Sequence, residues 1–154
     1  MTEIIVKILL WLFVINLGIA FGSGLYETRI AVPEWLNYSA ETGYFWNAEA
    51  AKRFNVGLRF WIFVTTIPLT LLTVLSLIFV WQTTAELRFW WLISITAILA
   101  DRLMTFFYFI PTMIRLMENQ LPQSEAIETA LQWINLGYVR SFLTLLAWLT
   151  ALQA

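Results

Sequence analysis

Four apolar runs dominate the chain, each close to or above the ~20 residues that a membrane-spanning helix needs. They cover about residues 4–25, 56–81, 89–110 and 131–152. Polar residues gather between the runs and interrupt them at only a few positions. Unbroken apolar runs of this length predict helices, whereas a membrane β-barrel would show short alternating segments. The pattern therefore predicts an all-α fold, an integral membrane four-helix bundle occupying residues 1–154 as one domain. The first run is longer than the ~7–15 residues of a signal-peptide core and does not start on a clearly basic stretch, so it reads as a retained span.

The connections differ in kind. Residues 26–55 mix Glu27, Arg29, Glu34, Glu41, Glu49, Lys52 and Arg53 with Trp35, Tyr38, Tyr44, Phe45 and Trp46. Amphipathic aromatics beside charges suit the headgroup layer, so this segment is expected to be a long amphipathic loop in the interface between spans one and two. The connection from Gln82 to Arg88 is tight, and the one from Arg115 to about Ala130 carries Pro122. Inside the first span, Gly18 and Gly22 form a G-x-x-x-G step that Ala20 and Gly24 extend, a small face on which a neighbouring helix can approach closely. Pro68 and Pro111 each remove a backbone donor within a span and free the carbonyl four residues earlier, at Val64 and Phe107. In lipid those carbonyls need partners inside the bundle, and Thr65 and Thr66 are placed to help.

Composition sharpens this picture. Hydrophobic residues make up 60% of the 154 and charged residues 12%, which is beyond what a soluble domain of this size sustains. The mean hydropathy is +0.75. A net charge of −1 suggests neither nucleic acid nor an acidic lipid surface as partner. The chain has no cysteine, which excludes thiol nucleophiles, disulfide relays, iron–sulfur clusters and thiolate-bound metals. It has no histidine either, which excludes His-ligated haem and the His-containing iron sites. The acids are too scattered to argue for a carboxylate-bound cation, so no cofactor is expected.

Against this apolar background the isolated polar positions carry the chemistry. Asp101 and Arg102 stand side by side near the middle of the third run, where a charge costs several kcal/mol unless paired or wetted. Successive spans alternate direction, so depth can be assigned from one end, side A at the N-terminus and side B opposite. Glu27 leaves the first span at side B, Asn55 and Arg59 begin the second there, and Tyr108 lies two turns beyond Asp101 towards B. Trp133, Asn135 and Arg140 occupy the B half of the fourth. The pattern predicts a polar pocket in the B half, with Asp101 and Glu27 as candidate catalytic carboxylates. Arg102, Arg140, Asn135, Arg59, Asn55, Tyr108 and Trp133 are the candidate ligand-binding residues. Its arginines outnumber its acids, which suits an anionic or strongly polarised oxygen on an apolar ligand. The same charges can also serve as static struts between helices. Lysines and arginines near the span ends favour side B as cytoplasmic.

Gly22-Ser23-Gly24-Leu25-Tyr26-Glu27 followed by Val32-Pro33-Glu34-Trp35 resembles the signature of the anthrone-oxygenase-like group of small four-span membrane proteins. Phe109-Ile110-Pro111 and the segment from Trp133 through Asn135 to Arg140 resemble that group's later motifs. The resemblance extends over most of the chain and implies a multi-pass protein of a bacterial inner or plasma membrane. For a few members it also implies cofactor-free oxygenation of anthrones to anthraquinones. The positions it covers include Glu27, Pro33, Trp35, Pro111, Trp133, Asn135 and Arg140. The chain departs from the fungal anthrone oxygenases in having no histidine.

Two functions of different kinds fit these observations. One is an enzyme on a lipophilic phenol or quinone, in which a carboxylate takes a proton and the arginines stabilise the resulting oxyanion. The other is a non-catalytic module that binds a membrane lipid or a partner span. A proton-coupled transporter ranks behind both, because a four-span protomer would need to form a homo-oligomer and no inverted repeat is evident.

Overall fold

The computed structural model describes residues 2–154, which are mostly helical. Four long helices account for most of the chain: α1 (Glu3–Trp35), α3 (Gly57–Gln82), α4 (Ala85–Met117) and α5 (Gln123–Ala151). The first three are long and apolar enough to cross a membrane. Helix α5 is long but more polar, since Glu125, Glu128, Asn135 and Arg140 all fall within it. It packs along α1 and α4, and α3 closes the group against α1 and α4. In the A half the core is apolar, built on Phe13, Leu17, Leu69, Trp91, Ile95, Ile98 and Ala147.

Three stretches are wound more widely than an α-helix: Glu27–Ala31 in α1, Gly57–Thr66 in α3 and Thr105–Phe109 in α4. Each is followed by a residue that precedes a proline, Val32-Pro33, Ile67-Pro68 and Ile110-Pro111. The closing bonds span five residues in every case: Val32 donates to the Glu27 carbonyl, Ile67 to Ile62 and Ile110 to Thr105. A proline ring pushes against the carbonyl four residues back and offers no N–H. Widening the turn to a π-helical one relieves the clash without ending the helix. This is why α1 and α4 run on well past the apolar stretches that announce them.

The partner of the freed Val64 carbonyl is not a threonine. Asn16 on α1 donates its side-chain amide to it at 2.9 Å, while Thr65 bonds back to Trp61 and Thr70 to Thr66. The G-x-x-x-G step is also only half used. A Cβ on Gly18 would lie 3.1 Å from the Trp148 ring, so that glycine is where α5 presses on α1, whereas Gly22 faces open space.

Residues 26–55 are a folded cap rather than a loop. After α1 ends at Trp35, β1 (Leu36–Ser39) and β2 (Gly43–Trp46) pair antiparallel, with Leu36 opposite Trp46. Gly43, at φ +75°, permits the tight return. Asn47 then caps α2 (Ala48–Phe54) by accepting from the Ala50 amide. Trp35, Leu36, Trp46, Ala50 and Ala51 bury against Leu116, Ala126 and Ala130. The Trp46 indole donates to the Leu116 carbonyl at 3.1 Å, and Gln123 donates to the Trp46 carbonyl. The outer face of the hairpin keeps Tyr38, Tyr44 and Phe45 exposed.

Candidate functional site

Asp101 is fully buried at the centre of a charge cluster in the B half. Neighbours on a helix point about 100° apart, so they do not normally face each other. Here the long Arg102 side chain curls back, and its Nε (3.0 Å) and Nη2 both donate to the Asp101 Oδ2. Arg140 Nε, from α5, donates to the other oxygen, Oδ1, at 3.0 Å. One carboxylate therefore holds two guanidinium groups from two helices. Arg140 also lies over the Phe109 ring, 4.4 Å from its centroid, and Phe109 packs edge-on against Trp133. The Trp133 indole donates to the Phe109 carbonyl at 3.3 Å.

Glu27 stands across from this cluster. Its Oε1 accepts from the Trp61 indole of α3 at 3.0 Å. A cavity of about 30 Å³ lies between, lined by Glu27, Trp61, Arg102, Phe109, Trp133 and Arg140 together with small residues of α1 and α5. That volume admits one or two water-sized groups. Arg102 is 6% exposed, and its Nη1 is buried with no hydrogen-bond partner among the described residues. The cavity lining thus holds one carboxylate and a buried arginine with an unpartnered nitrogen.

Of the sequence candidates, Asp101, Arg102, Arg140, Glu27 and Trp133 come together here. Four do not. Arg59 is exposed, and Asn55 ends α2 in a left-handed conformation (φ 41°) with its side chain accepting from the Leu58 amide. In the wide winding of Gly57–Thr66, which contains Arg59, it is Trp61 that faces inward. Asn135 is exposed because it lies five residues before Arg140, about 140° around a regular helix. Tyr108 would share the Asp101 face in a regular helix, but the extra residue in the Thr105–Phe109 turn moves Phe109 into that place. The Tyr108 hydroxyl is buried elsewhere without a partner among the described residues.

These placements change the electrostatics. With Arg29 and Arg59 exposed, the cluster consists of two acids and two arginines, so it is neutral rather than cationic. Trp61 and Phe109 are the functional residues that depth-counting misses. Their signal in the sequence is a proline seven residues after Trp61 and two after Phe109, which marks a local change of helical pitch. Set against known proteins, the chain matches no family model, no curated protein and no solved structure.

Proposed function

We propose that the protein is a four-helix integral membrane protein that binds the hydroxyl end of a lipophilic phenol or quinol in this cavity, and that it acts there as a cofactor-independent oxygenase or related enzyme. Three apolar helices support membrane insertion, and α5, 29 residues long, extends about 44 Å, enough to span with them. The observation that carries the site is that Glu27, fixed by Trp61, and Arg102, whose Nη1 lacks a partner among the described residues, line one small cavity. A hydroxyl both donates and accepts, so one oxygen can satisfy both groups. A carboxylate or phosphate would meet the Glu27 charge, which argues against an anionic head.

Asp101 is a positioning residue in this reading. Its oxygens are committed to two guanidiniums and it does not line the cavity. Glu27 is the base. It takes the proton of the bound hydroxyl, while Arg102 and Arg140 stabilise charge growing on the oxygen. The electron-rich anion then reacts with dioxygen. For an anthrone, the ring methylene loses two hydrogens and gains a carbonyl oxygen, and the second oxygen atom leaves as water. The resemblance to the anthrone-oxygenase-like group favours the same chemistry.

The test is oxygen uptake and quinone formation by the purified protein with an anthrone and hydroquinone panel. Turnover that disappears in Glu27→Gln is the expected result; a folded wild-type protein inert across the panel sinks the catalytic reading. The small volume of the cavity favours a second reading, a non-catalytic module that holds the hydroxyl of a membrane lipid. Co-purification of a hydroxylated lipid without turnover would select it.

A further inference from the structure

A cavity that admits only an oxygen and its nearest atoms leaves the body of a lipophilic ligand outside it, and the helices around the cavity differ in what they allow. Resting on the reading above, we infer that the ligand reaches the site sideways, from the lipid phase, through the seam between α1 and α5, with Gly24, Gly137 and Ser141 as its gate.

Access along the bundle axis from side B is blocked. The cap lies there, closed by its own Trp46 and by Trp35 at the end of α1, which are 4% and 3% exposed. Towards side A the seam itself is shut, because Trp148 presses on Gly18 and packs 6.1 Å from the Phe21 ring. Between these two closures the seam is lined by its smallest residues. A Cβ added at Gly24 would meet only the Ser141 hydroxyl, at 3.8 Å, and one added at Gly137 would meet nothing within 4 Å.

The helical register places this opening on an outer wall. On α5, Trp133, Arg140 and Thr144 share one face, which turns inward to Asp101 and Phe109. Ile134 and Ser141 line the same cavity but lie about 100° further round, on its outward side. Outside them the surface is mostly apolar and aromatic: Leu25, Tyr138 and Phe142 are 46%, 55% and 63% exposed. A lipid-dissolved molecule meets these lips without desolvating any charge, whereas a water-soluble one meets no polar path. The ligand class follows from this shape. It has a slender or flat apolar body that lies in the seam, with a single hydroxyl at its leading end, positioned against Glu27 and Arg102.

The chain has no native cysteine, so a disulfide can staple the gate on a clean background. Gly24→Cys combined with Ser141→Cys bridges α1 and α5 across the opening. The probe is 1-naphthol, titrated into the protein in lipid nanodiscs. Binding that weakens at least tenfold on oxidation and returns on reduction of the same sample is the expected result. Gly137→Phe, which adds bulk where a side chain meets no neighbour, should weaken binding similarly while thermal unfolding stays near that of wild type. Unchanged 1-naphthol affinity in the oxidised double variant overturns the seam route and leaves the site intact. If the wild-type protein itself does not bind 1-naphthol, the hydroxyl-binding reading fails and the route fails with it.

Discussion

Asp101 and Glu27 are both acids in the same half of the molecule, yet their surroundings give them different work. Asp101 accepts from two guanidiniums and touches no open space, so losing its charge leaves Arg102 buried and uncompensated. Breaking one partner of a buried pair costs about 3–5 kcal/mol, and Asp101→Asn is expected to lower stability by that order. Glu27→Gln keeps an oxygen for the Trp61 indole and should cost about 1 kcal/mol or less, while it removes the base. Thermal unfolding in detergent checks the contrast, and equal losses in the two variants would contradict these roles. Depth-counting along the spans was enough to bring Asp101, Arg102, Arg140 and Glu27 together, because depth depends only on rise per residue. It was not enough for Asn55, Arg59, Tyr108 and Asn135, whose inclusion required facing direction as well.

Facing direction is decided one level up, by how each helix is wound. All three wide turns precede a proline, and each delivers one residue to the site: Glu27, Trp61 and Phe109. The prolines were visible in the sequence as kinks; their effect on register was not, since a π-helical turn shifts every later side chain by about 100°. Pro111→Ala restores the missing donor and lets Thr105–Phe109 tighten into regular helix. Phe109 would then rotate away from Arg140, and Tyr108 would take its place. The expected outcome is weaker 1-naphthol binding with helix content, measured by far-ultraviolet circular dichroism, unchanged or slightly higher. Retained binding would show that the wide turn does not set the site.

At the scale of the molecule, the apolar runs announced the long helices, and the cap was the least legible part. Its aromatics read as an interfacial loop because charge and ring content carry no signal of strand pairing. Only the fold brings Trp46 to the Leu116 carbonyl, seventy positions away. Trp46→Phe keeps an aromatic ring and removes that bond, while the Leu116 carbonyl still accepts from the Asn119 amide at 3.4 Å. A loss of about 0.5–1.5 kcal/mol is expected, expressed first as faster proteolysis within residues 36–46. If the cap instead stayed as protease-resistant as in wild type, the tie would be incidental.

That Asp101 and Arg102 are consecutive also bears on how the molecule is made. Two separate charges at the centre of a helix each raise the cost of entering a bilayer by about 2.5–3.5 kcal/mol. Joined through a single carboxylate oxygen, they leave the ribosome within one residue of each other and can neutralise one another before α5 arrives. On the membrane reading proposed above, helix α4 then carries its own counter-ion through insertion. Arg140, which comes later in the chain, finds the second oxygen only when α5 docks, so the same contact that completes the site also reports that the last helix is in place.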